Sequence, residues 1–168
     1  MADAPGVAVT FLFVLKMFLL TPGFQFALSL RLQEQLARIP LVGKALRRLL
    51  WYMTCILFSS EVAPSAEIGG GIYFPHPYAI VIGPCRIGRD VEIQQGVTIG
   101  RKQRESLDVP TIGDSCRIGA GAKILGTITI GANCVVGANA VVIKDVPPHS
   151  AAVGVPAKIL PIDRPKPG

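Results

Sequence analysis

Histidine is scarce in this chain: His76 and His149 are the only two. Two imidazoles so far apart in sequence cannot furnish a three-histidine zinc set, so no metal is expected. The four cysteines (55, 85, 116 and 134) contain no C-x-x-C pair. That removes zinc ribbons and dithiol redox motifs, and reduced thiols are expected rather than disulfides. Only 17% of the residues are charged. There is no long basic tract, no zinc-finger spacing and no RNP-like aromatic motif, which argues against nucleic acid as a partner. No apolar run reaches the ~20 residues that a membrane-crossing helix needs. The longest, Val7 to Leu20, is interrupted by Lys16. Met1 to Gly6 carries Asp3 and no Lys or Arg, unlike a secretory signal.

What is present is apolar and periodic. Half of the 168 residues are hydrophobic, enough to fill a core in one domain with an appendage. Net charge is +6 and the pI is near 9.4. That balance favours an anionic partner, either a phosphate-bearing cofactor or a membrane surface. Ile112, Ile118, Ile124, Ile130, Val136 and Val142 recur at every sixth position, with Gly at 113, 119, 131 and 137. This period is neither 2 nor 3.6, so neither a half-buried strand nor an amphipathic helix accounts for it. A six-residue repeat is the signature of a parallel β-helix. Three hexads make one triangular coil, and the aliphatic residues stack into buried columns. Cys116 and Cys134 lie one coil apart and are expected to stack.

The repeat begins near Glu61. Val62, Ile68, Phe74 and Ile80 hold one phase, and Val81, Ile87, Ile93 and Ile99 a second. Ile112 opens the third. Between them, residues 100–111 are rich in charge, and burying them would carry a large desolvation cost. They are expected to leave the coil as a loop that carries function. Val146-Pro147-Pro148-His149 then stops the strand pattern, because proline cannot donate to a ladder. The chain therefore divides into a helical region (1–58), a β-helix domain (59–160) and a Pro-rich tail (161–168).

Residues 1–58 break at Thr21-Pro22-Gly23 and at Pro40. Phe24 to Arg38 and Val42 to Phe58 read as helices. Lys44, Arg47 and Arg48 lie near the start of the second, with Trp51 and Tyr52 beside them. Two readings stand side by side. The apolar faces pack on the β-helix or between subunits, or they make an in-plane membrane contact.

The ordered motifs carry a resemblance. Gly119-Ala120-Gly121-Ala122-Lys123-Ile124-Leu125-Gly126, then Val146-Pro147-Pro148-His149, then Gly154-Val155-Pro156-Ala157-Lys158 resemble the serine acetyltransferase group of hexapeptide-repeat acyltransferases. Ile80 to Gly83 and Val97 to Gly100 extend the match, which covers roughly residues 61–160. The resemblance implies a left-handed parallel β-helix, a homotrimer, and acetyl-CoA held between neighbouring subunits. It places the catalytic histidine on His76 and its acidic partner on Glu61, where the family has aspartate. The chemistry suits these types. A neutral hydroxyl needs a base to attack a thioester, and imidazole can take that proton and deliver it to the leaving thiolate. A carboxylate would orient the ring and stabilise the imidazolium. By the same match Ala120 and Ala138 line the pantetheine arm. Lys158 is the first candidate for the 3′-phosphate, with Lys123 and Lys144 behind it. Backbone N–H groups near Gly100 and Arg101 are candidates for the oxyanion. His149 receives no catalytic role. Val135 stands where the family often has a CoA-contacting lysine.

Three departures concern the acceptor. Pro75 replaces an aspartate before the histidine, and Asp108 and Val109 replace an Arg-His pair. Losing charged partners weakens recognition of an amino acid's ammonium and carboxylate. The sequence therefore favours a cytoplasmic acetyl-CoA-dependent O-acetyltransferase acting on a saccharide hydroxyl in polysaccharide synthesis, with or without peripheral contact at the inner face of the membrane. Serine O-acetylation is the alternative. An inactive β-helix assembly module is the alternative of another class.

Overall fold

A computed structural model of the chain describes residues 10–101 and 109–162. Helices α1 (Phe11–Leu20), α2 (Pro22–Leu36) and α3 (Val42–Phe58) come first. Thr10 caps α1 by accepting from the Phe13 N–H at 3.2 Å. The expected break at Thr21-Pro22-Gly23 is narrower than the sequence suggested. Pro22 and Gly23 already belong to α2, with proline in its first turn, where the missing N–H costs nothing. The chain bends by 85° there. Among the described residues no single helix is long and apolar enough to cross a membrane.

The rest winds into a three-faced parallel coil. The first face holds β1 (Glu61–Val62), β3 (Val81–Ile82), β6 (Thr98–Gly100), β9 (Lys123–Leu125) and β12 (Val141–Val142). The second holds β2 (Glu67–Ile68), β4 (Arg86–Ile87), β7 (Thr111–Ile112) and β10 (Thr129–Ile130). The third holds β5 (Glu92–Ile93), β8 (Arg117–Ile118), β11 (Val135–Val136), β13 (Ser150–Val153) and β14 (Lys158–Pro161). All pairs are parallel except β13 with β14. Ile82, Ile99, Ile124 and Val142 stack in one buried column, Ile87, Ile112 and Ile130 in another, and Phe74, Ile93, Ile118 and Val136 in the third. Two residues before each of these except Phe74, where Ile72 is half-buried, sits a second buried position. Cys85, Cys116 and Cys134 occupy it, as free thiols.

The register reports where the repeat is irregular. Thr111 pairs with Thr129, eighteen residues on, as one coil requires. Arg86 pairs with Thr111, twenty-five residues on, so seven residues exceed the coil. The excess matches the expected loop, whose residues 102–108 lie outside the described ones. Gly100 and Thr111, expected within that loop, are strand residues. Glu61 pairs with Val81, twenty residues on. This surplus lies in the turn around His76 and corrects the second phase. Val81 is 45% exposed, while Ile80 and Ile82 on either side are buried.

Pro147 and Pro148 do not end the coil as expected. They sit exposed at a corner, and β13 resumes the ladder on β11 beyond them. A corner lies outside the strand ladders and needs no donor from either ring, which is why the prolines are tolerated. Pro161 closes β14, and residues 163–168 of the expected tail lie outside the described ones.

The first coil would leave an unpaired edge. The helices cover it. Arg31 donates to the carbonyls of Ile68, at 2.8 Å, and Gly69. Arg47 donates to the Pro64 carbonyl at 2.6 Å, and the Trp51 indole to the Val62 carbonyl at 3.0 Å. Phe26 is fully buried edge-on against Phe58 and Phe74. A Cβ on Gly23 would lie 1.9 Å from the Phe74 carbonyl oxygen, so only glycine permits this approach of α2.

Candidate active site

His76 lies in the turn from the third face to the first. Two positions along, the Tyr78 carbonyl accepts from the Gly96 N–H at 3.0 Å. The Gln95 carbonyl accepts from the Gly121 N–H at 2.8 Å, and the Ala120 carbonyl from the Asn139 N–H at 2.8 Å. These bonds stack the third-to-first corners of successive coils into one straight edge. The edge carries, in order, His76, Gly96, Ala120-Gly121 and Ala138-Asn139. At ~4.8 Å per rung it runs roughly 14 Å from the Tyr78 level to the Asn139 level. Its backbone turns left-handed at Gly96, Gly121 and Asn139. Gly121 has φ +70, and a Cβ there would lie 2.1 Å from the Asn139 Oδ1. Small residues are therefore required along this edge, and they leave it narrow and shallow.

His76 and Glu61 are both exposed, and no hydrogen bond or ion pair joins them. What brings them to the same end of the edge is Ser60. Its hydroxyl is buried, donates to the Pro77 carbonyl at 2.9 Å and accepts from the Ile80 N–H at 3.0 Å. The Glu61 N–H adds a bond to the Ile80 carbonyl at 2.8 Å. The residues next to His76 and next to Glu61 thus share one hydroxyl. Ser60 was not anticipated from the sequence. Its signal was a small polar residue at the inner position that cysteine, alanine or valine fills in later hexads.

Lys158 is exposed on β14, paired with Val153, whose side chain packs over Gly137 beside Ala138. It therefore sits at the far end of the same edge from His76. Lys123 is committed elsewhere: its ammonium donates to the Gly96 carbonyl at 2.8 Å and the Thr98 hydroxyl at 2.9 Å, bracing the edge from the first face. Lys144 lies on the first-to-second corner and is exposed, as Val135 is on the third face. His149 is on the second-to-third corner, where its N–H bonds to the Ala132 carbonyl at 3.0 Å. It shares no corner with His76.

Gly100 and Arg101 lie across the first face from the His76 edge. Gly100 ends β6, with open space where a Cβ would stand. Arg101 lines a polar concavity with Glu67, Arg86 and Val109. A single chain does not bring these two residues to His76. Asp108 lies outside the described residues. Among the described residues, no group of three His, Cys, Asp or Glu side chains converges to hold a metal.

Residues 110–144 match the bacterial transferase hexapeptide (six repeats) family. The serine acetyltransferase of Helicobacter pylori strain J99 is 40% identical over 153 residues, covering 89% of this chain and 87% of that protein. The serine acetyltransferase of Staphylococcus xylosus is 44% identical over 120 residues, and the match spans 56% of its length. Among solved structures, Neisseria gonorrhoeae serine acetyltransferase superposes with a TM-score of 0.79 at 36% identity, over 86% of this chain and 56% of that one. A serine acetyltransferase solved in complex with CoA gives 0.76 at 38% identity, over 86% and 59%. The fold shared with these structures is the left-handed parallel β-helix. With 40% identity along most of both sequences, the chain belongs to the serine acetyltransferase family of hexapeptide-repeat transferases.

Proposed function

We propose that the chain is a homotrimeric, acetyl-CoA-dependent O-acetyltransferase of the cytoplasm, and that its acceptor is the hydroxyl of serine. The observation that carries this is the single corner edge with His76 at one end, Ala120 and Ala138 along it, and Lys158 at the other. A thin, amide-rich pantetheine arm suits a narrow edge of small residues, and a 3′-phosphate suits a lysine at its end. The thioester is then delivered at His76.

The transfer is direct. His76 takes the proton of the acceptor hydroxyl as its oxygen attacks the thioester carbonyl. The tetrahedral intermediate collapses, the C–S bond breaks, and the imidazolium gives its proton to the departing thiolate. Glu61 stabilises the imidazolium between these steps. No covalent acetyl-enzyme forms. Gly100 and Arg101 serve the His76 of a neighbouring copy, since their own lies across the first face; the trimer is what completes the site.

A saccharide acceptor is the second reading, and it rests on specific residues. Pro75, half-buried beside His76, offers no carboxylate to a substrate ammonium, and Val109 offers no cation to a carboxylate. The named relatives support serine instead and lend the polysaccharide reading nothing.

Thiol release from acetyl-CoA by the trimer, with L-serine or with saccharides added, decides between them. Serine-dependent release is expected. Background release with serine, but stimulation by a sugar, replaces the first reading with the second. A protein that binds acetyl-CoA but releases no thiol with any acceptor overturns both and leaves a β-helix assembly module.

A further inference from the structure

One side of α3 is basic where it meets the first coil. Lys44, Arg47, Arg48 and Trp51 stand at i, i+3, i+4 and i+7. At roughly 100° per residue they fall within an arc of about 100°, so a single side of the helix carries all four. Together with Pro64, two residues beyond β1, they line a cavity of ≈ 260 Å³. Two bonds frame it. The Arg47 Nη2 donates to the Pro64 carbonyl at 2.6 Å, and the Trp51 indole donates to the Val62 carbonyl at 3.0 Å.

The cavity has three cations and no counter-charge. Lys44, Arg47 and Arg48 form no ion pair among the described residues. Lys44 with Arg47, and Lys44 with Arg48, are like charges at helical i,i+3 and i,i+4 spacing, which weakens a helix. Arg48 lies over the Trp51 ring at 5.7 Å, a contact that leaves its charge in place. The Arg47 Nε is buried without a hydrogen-bond partner, and a buried donor left so is costly. Leu41 gives α3 no side-chain cap and its first turn has no acidic residue, so the helix start adds positive potential. The one carboxylate in residues 10–58 is Glu34. It lines a second cavity that Arg47 and Pro64 also border, and it is paired with Arg31 at 2.8 Å. That second cavity, ≈ 30 Å³, has room for water and not for a larger anion.

We propose that the larger cavity binds a small phosphate-bearing molecule through Lys44, Arg47 and Arg48. A phosphate monoester carries close to two negative charges at neutral pH and three terminal oxygens, enough to accept from each cation. The Arg47 Nε gains the acceptor it lacks. A single carboxylate brings one charge and two oxygens to three cations, and so matches them less well. The volume leaves space beside the phosphate for a small organic body against Trp51 and Pro64. A bilayer headgroup is not the source. The exposed apolar residues of α3 (Val42, Leu46, Leu49 and Met53) lie on the opposite side of the helix from the cations. A carboxylate from a neighbouring subunit is the competing occupant, and it would leave part of the positive charge unmatched. The cavity shares no residue with the His76 edge, so the inference does not depend on the acceptor.

Trp51 is the only tryptophan in the chain, so tryptophan fluorescence reports on this cavity alone. Titrating the full chain with inorganic phosphate should change that fluorescence saturably, and sodium chloride at matched ionic strength should not. Lys44→Gln should weaken the apparent affinity roughly tenfold, as expected for one charge-assisted hydrogen bond. Lys44→Gln combined with Arg48→Gln should abolish the response. Phosphate should also raise the melting temperature of wild type, because the ligand binds only the folded chain, and should leave the double variant unmoved. Without phosphate, Lys44→Gln should melt no lower than wild type, since it removes two like-charge pairs. Turnover should be unchanged in both variants. The proposal fails if wild-type fluorescence is indifferent to phosphate, or answers sodium chloride equally. It fails equally if Lys44→Gln titrates like wild type. A double variant whose assembly dissociates would give the cations to a neighbouring subunit's carboxylate and overturn the proposal.

Discussion

Replacing Ser60 by alanine removes one hydroxyl and strands two backbone groups. The Pro77 carbonyl loses its 2.9 Å donor, and the Ile80 N–H loses its 3.0 Å acceptor. Ser60 is 3% exposed, so water cannot readily replace it. A typical hydrogen bond contributes about 1 kcal/mol net, and a buried group left unsatisfied costs about 1–3 kcal/mol. The two losses share one hydroxyl, so we expect a total of roughly 2–4 kcal/mol. The Pro77 side of the damage adjoins His76, and the Ser60 side adjoins Glu61. Turnover should therefore fall more than acetyl-CoA affinity, which depends on coils further along the edge. Urea denaturation gives the first quantity; kcat and the Kd for acetyl-CoA give the second. A change below about 0.5 kcal/mol, the size of an ordinary surface substitution, with unaltered kcat would refute the positioning role.

Three further outcomes follow from the packing. Burial pushes the Cys85 thiol up to about 12 and the Cys116 thiol up to about 11. Native protein at pH 8 should therefore leave both unmodified by a thiol reagent, and denatured protein should expose all four cysteines. The same shifts have a stability consequence. Both folded-state values lie above the ordinary thiol value of 9.0, so the contribution is complete below that value. It should be lost as pH rises from about 9 towards 12, which denaturation at stepped alkaline pH would measure. Gly23→Ala would set a Cβ 1.9 Å from the Phe74 carbonyl, forcing α2 away from the first coil. We expect a loss of stability of about 1–3 kcal/mol, by the cost of overpacking, with a melting curve as the check.

The β-helix was legible because each coil repeats the same demand. An inward aliphatic at one position of each hexad is a local pattern that sequence shows directly. The phase slip at Val81 was not legible, because the surplus residues sit in the His76 turn, where no hexad marks the register. The capping of the first coil was hidden for another reason. Arg31 and Arg47 look like ordinary surface cations until the carbonyls of Ile68, Gly69 and Pro64 are placed beside them. The candidate site was partly legible. Counting in hexads puts Ala120 and Ala138 on one corner, and their motif is local. That His76 heads the same corner depends on the irregular turn and on Ser60, and only the backbone ladder reveals it. Gly100 and Arg101 are oxyanion candidates by sequence, as backbone donors at the start of the charged loop, although the strand direction sets them across the first face from His76.

The central claim is that His76, at the head of the small-residue edge, is the base for acetyl transfer. The most direct measurement is thiol release from acetyl-CoA with L-serine, for wild type and His76→Ala, alongside each protein's acetyl-CoA affinity. The account predicts release that falls by about 10²–10⁴-fold in the variant, the usual contribution of a general base, with affinity essentially retained. Equal release from both proteins would contradict it, and the base would have to be sought on another corner of the coil.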